Sequence, residues 1–349
     1  MWVLKAATVS ALFLGQTLAL TDRVFIPPAY HNGSVSVEGL SVPGNLDGFK
    51  MRTAANRTSF DFWYFDAFSK TTGAAINIVF FNTGDFAANP IPLTVQISGT
   101  YDNGTEFSAE ALASKGVVLK NDEHGVSGDW KGAGASFTGT NLSKPNVTYE
   151  ILLDSPSIGI KGTFVLKSRA PSHYPCNPNV EGMNTLLLPH LHWSNAVPDA
   201  QAIINLEMNG TKFSLTDGVG YHDKNWGDKS VITSPKYWDW GHAQLGPFSL
   251  VCMVTLLWPA APKNVVKVRQ WGANTTYPPS FGIAKAAGLT ARFDLGGGQV
   301  LVANLTKEQI VHDQIVYARA LGSVTGGIEG QEVYKGRGHY EEFVYGLLY

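Results

Sequence analysis

Charge is scarce in this chain of 349 residues: Asp, Glu, Lys and Arg together make up 15% and the formal net charge is -2. Ordinary soluble domains carry about a quarter charged residues. No basic run occurs, so the electrostatic footprint of a nucleic-acid binder, or of a protein held on an anionic membrane surface, is missing. Helical periodicity is nearly absent, which leaves strands as the regular structure. No apolar run beyond the first residues is long enough for a transmembrane anchor, since the best candidate, Phe248 to Ala261, stops at prolines. Cysteine is reduced to Cys176 and Cys252. The two could pair in an oxidising compartment, or Cys252 is a free thiol buried in an apolar strand. Several enzyme signatures are also missing. There is no G-x-S-x-G elbow and no Cys-His signature, and Gly296-Gly297-Gly298 lacks the Lys-Ser/Thr and the helix of a phosphate loop.

What is present is aromatic: 11% Phe, Trp and Tyr, with 37 Gly. The length suits two domains. Residues 1–19 combine Lys5, an apolar core from Ala6 to Leu14, and Thr17 and Ala19 placed like a cleavage site, the pattern of a signal peptide. Asn-x-Ser/Thr acceptors stand at Asn32, Asn56, Asn103, Asn141, Asn146, Asn209, Asn274 and Asn304, so glycosylation and a place in the secretory pathway, secreted or in an endomembrane lumen, are expected.

Residues 21–50 read as loop. Ser59 to Ser69 then alternates with both faces largely apolar, as in a strand covered on both sides. Short strands follow at close spacing to Ser168, including a hairpin about Asp102-Asn103-Gly104. Prolines at 171, 175 and 178 mark a composition shift, which places an N-terminal domain at 20–180 and a C-terminal domain at 181–349. Ala202 to Met208 and Lys212 to Thr216 form a hairpin through Asn209-Gly210, and further strands run to the carboxy terminus. Both halves are all-β and antiparallel, and eight or so strands in the second half suffice for an up-and-down barrel.

Residues 218–242, GVGYHDKNWGDKSVITSPKYWDWGH, gather three Trp, two Tyr and two His. In a strand, His222, Lys224 and Trp226 share one face and Tyr221, Asp223 and Asn225 the other; Tyr237 and Asp239 then oppose Trp238 and Trp240. Polar groups among large rings fit a pocket that holds an apolar ligand and orients it with a few hydrogen bonds. Together with Trp63, Trp258 and Trp271, these rings read as pocket lining. His190 and His192, with His222 or His242, could ligate zinc, but no carboxylate or thiolate stands at metal spacing and no metal is expected. Asp66, Asp223 and Asp239 sit in aromatic strands where burial would raise a carboxyl pKa; acid-base chemistry and a structural role both remain open.

The pair FWYFDA (62–67) and GYHDKNWGD (220–228), in that order, resembles the lipocalin-like superfamily of carotenoid hydratases and fungal Diels–Alderases. The resemblance implies an N-terminal β-sandwich packed on a C-terminal lipocalin-like antiparallel β-barrel, with an apolar pocket between them and inside the barrel, and no cofactor. It implies a cofactor-independent pericyclase that performs a (hetero-)Diels–Alder [4+2] cycloaddition on an apolar polyene, isoprenoid or quinone-methide-type small molecule. With the signal peptide, it is most similar to secretory-route hetero-Diels–Alderases of tropolone–sesquiterpene meroterpenoid biosynthesis. The usual motif has His where this chain has Lys224, which speaks against alkene hydration. His222, Lys224, Tyr237 and Asp239 are then the candidate donors and acid-base groups, and Trp63, Tyr64, Asp66, His192, Trp226, Trp240, His242 and Trp271 the substrate-binding set. The alternatives are a secreted carrier of an apolar small molecule and a hydratase or isomerase of isoprenoids.

Overall fold

The computed structural model describes residues 22–41, 46–84, 89–175, 177–230, 237–255, 266–272, 275, 286–314 and 316–344, among which there is no helix. The first strands are β1 (Asp22–Ile26), β2 (Phe60–Phe68), β3 (Ala75–Thr83), β4 (Leu93–Thr100), β5 (Glu106–Leu112), β6 (Val117–Asp122), β7 (Gly125–Trp130) and β8 (Ala135–Thr140). They are followed by β9 (Thr148–Ser155), β10 (Ile160–Ser168), β11 (His173–Tyr174), β12 (Asn177–Pro178), β13 (Leu186–Leu188), β14 (Leu191–Met208) and β15 (Thr211–Gly227). These make one 15-stranded sheet in the order β1-β6-β7-β8-β9-β10-β14-β15-β2-β3-β4-β5, with β11, β12 and β13 beside it. The remaining strands are β16 (Tyr237–Leu245), β17 (Phe248–Thr255), β18 (Val266–Trp271), β19 (Gly288–Gly296), β20 (Gln299–Asp313), β21 (Tyr317–Ile328) and β22 (Tyr334–Val344). They form a seven-stranded antiparallel sheet, β17-β16-β22-β21-β20-β19-β18, that curls until its edge strands approach each other.

The first sheet folds over a core of its own. Trp63 on β2 meets Trp130 on β7 edge-on at 5.5 Å, and the Trp130 indole donates to the Phe81 carbonyl at 3.0 Å. Every residue of β2 is buried because one face meets this core and the other meets the second sheet. The β14–β15 hairpin turns through Asn209 (φ 49°) and Gly210 (φ 80°), the paired left-handed residues of a tight hairpin. The second sheet closes over small and branched side chains, and the pocket that they line measures about 30 Å³. The chain is therefore an all-β protein with a sandwich-like first unit and a lipocalin-like second one.

Four expectations change. Residues 22–26 are a strand paired with β6 rather than loop. Among the described residues the second sheet has seven strands. The change of sheet falls between Gly227 and Tyr237, not near residue 180, because β14 and β15 pair with β10 and β2 inside the first sheet. The prolines at 171, 175 and 178 mark an excursion between β10 and β14, and local composition registers a break in a strand without saying which sheet the chain rejoins. Finally, the pocket inside the barrel measures about 30 Å³, so the room for a ligand lies elsewhere.

Candidate functional site

The two sheets pack face to face and leave a cavity of about 560 Å³ between them. Strand alternation decides what faces it: Phe62 and Tyr64 from β2, Val79 and Phe81 from β3, and Trp238, Tyr317, Arg319, Glu341 and Phe343 from the second sheet. Six aromatic rings line it, beside polar side chains that include Gln96, Ser98, Glu110 and Gln314. The Trp238 ring meets Phe343 edge-on at 4.4 Å, and Phe343 lies 4.1 Å from Tyr317.

One end of the cavity is polar and built around Glu341. Its Oε1 receives the Tyr317 hydroxyl at 2.6 Å and the Arg319 Nε at 2.9 Å, and lies 3.0 Å from the Tyr64 hydroxyl oxygen, whose one proton it shares with Asp66. Arg319 also donates to Ser98 Oγ across the sheets at 2.9 Å. Burial pushes the Tyr64 and Tyr317 phenols well above their ordinary value, and the nearby carboxylates add to this, so both stay protonated donors. Behind Tyr64, Asp66 accepts from its hydroxyl at 3.0 Å, from His242 Nε2 at 2.8 Å and from His339 Nδ1 at 3.0 Å. Burial works to raise Asp66, but the two imidazoles outweigh it and hold the carboxyl below the usual range. Asp66, His242 and His339 offer ligand atoms within 4.8 Å of one another and are the group here that could hold a metal ion.

A side pocket of about 40 Å³ opens beside the polar end and shares Phe62, Tyr64, Trp238 and Glu341 with the main cavity. Its other walls include Asp223, Asn225 and Trp240. Asp223 is 3% exposed, and burial pushes its carboxyl well above the ordinary value.

The structure separates the residues singled out in the sequence. Tyr64 lines the main cavity, Trp240 lines its side pocket, and Asp66 and His242 stand directly behind Tyr64. His222, Lys224 and Trp226 do share a face, but it turns into the first unit, away from the cavity. His222 stacks on Phe65 at 3.8 Å, with its Nδ1 2.8 Å from the Tyr64 carbonyl oxygen and its Nε2 3.0 Å from Asp47 Oδ2. Lys224 pairs with Asp61 and sits 3.0 Å above the Trp63 ring. Trp63 is core, and His192 stacks on Trp226 at 5.4 Å with its Nδ1 2.9 Å from Thr185 Oγ1. The expectation that this face is the polar corner of the ligand site is thus corrected: Tyr221, Asp223 and Asn225 face the cavity side instead.

Tyr237 and Asp239 point away from the cavity, and Asp239 accepts from Gln270 at 3.1 Å and from Tyr340 within the barrel. Trp271 packs over Gly288 of β19 and lines neither the cavity nor its side pocket. The histidines proposed for zinc are scattered: His190 bonds Asp228 at 2.8 Å, while His192 and His222 sit in separate contacts. Cys252 is a free thiol in the barrel core, pushed up to about 12 by burial. Cys176, Trp258, Asn274 and the signal segment lie outside the described residues. Of the other acceptor asparagines, Asn32, Asn103, Asn146, Asn209 and Asn304 are exposed and Asn56 and Asn141 half-buried.

Asp239 carries a stability prediction. Burial raises it from 3.8 to about 6, partly offset by the Tyr340 hydrogen bond. The folded chain therefore binds this proton more tightly than the unfolded one, so the stability it contributes is present below pH 4 and lost as pH rises through 6. Asp239→Asn keeps an acceptor for Tyr340 and removes the titration. Measured against this variant by denaturant unfolding, the wild type is expected to lose up to about 3 kcal/mol between pH 4 and 7. Parallel curves would refute it.

Sequence reasoning passed over Tyr317, Arg319, His339, Glu341 and Phe343. A signal was there: in RGHYEEF, residues 337, 339, 341 and 343 alternate onto one face that mixes charge with an aromatic ring, unusual for a strand pointing to solvent.

Comparison with known proteins places the site in context. A family model described as Diels-Alderase-like matches residues 36–261. The chain is 37% identical over 347 residues to the quinolone epoxide rearrangement protein penF of Penicillium thymicola, covering 93% of this chain and 96% of that one. It is 35% identical over 363 residues to asqO of Emericella nidulans, of the same description, covering 97% and 98%. The solved structure of CghA with Sch210972 superposes with a TM-score of 0.73 over 93% of this chain and 98% of that one, at 17% identity, which speaks for the fold alone.

Proposed function

This chain belongs to the Diels-Alderase-like family, and from that premise we propose that it is an enzyme that rearranges an apolar, ring-bearing epoxide bound between its two sheets. The observation that carries this is a cavity of about 560 Å³ between the sheets, lined in part by six aromatic rings, with the Arg319 guanidinium at one end. Opening an epoxide without a nucleophile needs donors at the oxygen, stabilisation of a developing carbocation, and exclusion of water. Arg319 stands as the donor at the polar end, with guanidinium N–H groups beyond those given to Glu341 and Ser98, while the Tyr64 and Tyr317 protons are engaged by carboxylates. One such donor in a dry site is worth roughly 3 kcal/mol of barrier. Phe62, Trp238 and Phe343 offer ring faces to a cation, about 2 kcal/mol or more once desolvated. Burying roughly 400 Å² of apolar substrate at about 25 cal/mol/Å² holds it in one pose. The two relatives of 35% and 37% identity, both described as quinolone epoxide rearrangement proteins, support this chemistry over others.

A second reading, a [4+2] cycloaddition, is favoured by the description of the family model. The same cavity would align diene and dienophile, and the same donor would bind a dienophile carbonyl. One experiment separates the two. Purified protein is incubated with an aryl quinolone bearing an epoxide on an apolar side chain, in ¹⁸O-labelled water. The expected product is a single stereoisomer of unchanged mass without label. A labelled diol would indicate hydrolysis. An untouched epoxide, with a linear triene cyclised to one diastereomer, would favour cycloaddition.

A further inference from the structure

Three buried carboxyl groups stand together on the face between the sheets: Asp66, Asp223 and Glu341. Two have basic partners, Asp66 in His242 and His339, Glu341 in Arg319. Asp223 has none among the described residues. Its Oδ2 receives the Trp193 indole at 2.7 Å and faces the Tyr221 hydroxyl at 2.9 Å, and its Oδ1 lies 3.0 Å from the Asn225 amide nitrogen. The ionisable groups around it include Tyr64, Tyr221, Asp66 and Glu341; the nearby basic groups Arg319, His242 and His339 bond Glu341 and Asp66 instead. A negative charge at Asp223 would be buried, unpaired and opposed by two others.

We propose that Asp223 is the catalytic acid of this enzyme, donating its proton to the oxygen of a ligand bound where the side pocket joins the main cavity. The inference rests on the rearrangement reading above. With Oδ2 taken by the Trp193 indole N–H, and the Tyr221 proton shared between Oδ2 and Asn195 Oδ1 at 2.6 Å, the proton belongs on Oδ1. Asn225 agrees with this. Its amide oxygen is buried without a partner, and turning the amide over would offer that oxygen to an Oδ1–H group. The raised Asp223 carboxyl is the expected companion of this geometry.

The step balances within the site. As the epoxide C–O bond breaks, its electron pair stays on oxygen, which takes the proton from Asp223 Oδ1. A neighbouring substituent migrates with its bonding pair to the cationic carbon, and the new cation becomes a carbonyl when the O–H proton returns to the Asp223 carboxylate. No proton, electron or co-reactant is consumed overall. Arg319, at the same end of the cavity, holds the oxygen by a guanidinium N–H while the proton moves.

The test pairs turnover with a direct view of the acid. Asp223→Asn keeps the size and hydrogen-bonding capacity but has no transferable proton. It is expected to lower kcat by about 10²- to 10⁴-fold, with KM and melting temperature nearly unchanged, and to remove the alkaline limb of the wild-type pH–rate profile. The infrared spectrum of the wild type with isotope-labelled aspartate at pH 7 is expected to show an un-ionised carboxyl band that the variant lacks. Turnover within about threefold of wild type, or an ionised Asp223 at pH 7, would overturn the proposal, and the infrared result decides even if the variant does not fold. If the wild type leaves epoxides untouched, the rearrangement reading fails, a different outcome from an active wild type with an equally active variant.

Discussion

Arg319→Met is expected to destabilise the fold by about 3–5 kcal/mol and to abolish turnover. The guanidinium is 8% exposed, 2.9 Å from Glu341 and 2.9 Å from Ser98 on the opposite sheet. Removing it leaves Glu341 as a buried carboxylate without its cation, and that uncompensated charge accounts for most of the loss. The double variant Arg319→Met/Glu341→Gln takes both charges away together. Urea unfolding is expected to show most of the stability recovered. Turnover is expected to stay at least about 100-fold down, because a donor of the polar end is gone and the Tyr64 and Tyr317 hydroxyls lose the carboxylate that aims them. Recovery of activity along with stability would show that Arg319 only holds the sheets together.

Lys224→Met carries the same electrostatic penalty with the opposite functional outcome. Lys224 and Asp61 are fully buried on the far side of β15, packed on Trp63 within the first unit. Removing the ammonium alone is expected to cost about 3–5 kcal/mol. Lys224→Met/Asp61→Asn, which preserves an acceptor for the backbone N–H groups of Lys50 and Met51, is expected to recover most of this and to turn over as the wild type does. Burial pulls Lys224 down to about 8, against the opposing pull of Asp61. Its folded pKa lies below the unfolded one, so wild-type stability is expected to rise between pH 8 and 10.5, a rise the double variant should lack. A folded double variant without activity would return Lys224 to the mechanism.

These two arginine- and lysine-centred pairs show why the site could be read only in part. The strands themselves were legible. Alternation marks β2, β3 and the series to β10, Asn209-Gly210 marks the hairpin, and the two aromatic motifs point to the family that the comparisons bear out. The division of faces on β15 was legible too, since side chains alternate with period two whatever the tertiary fold. Which face meets the ligand cavity was not. From Gly218 to Gly227 every residue of β15 is buried, so neither face carries the polar pattern that marks solvent.

Burial on both sides made His222 and Lys224 look like a polar corner, when their partners are Asp47 and Asp61 in the adjoining core. Tyr64 meets Glu341 across 277 positions of sequence, and no local pattern announces such a pairing. By itself, the sequence determined the β class, the turns, the alternation and the kinship, because each depends on neighbours along the chain. Only the tertiary structure decided where the sheet changes, which carboxyl groups find cations and which, Asp223, does not, because those depend on which faces of two sheets are pressed together.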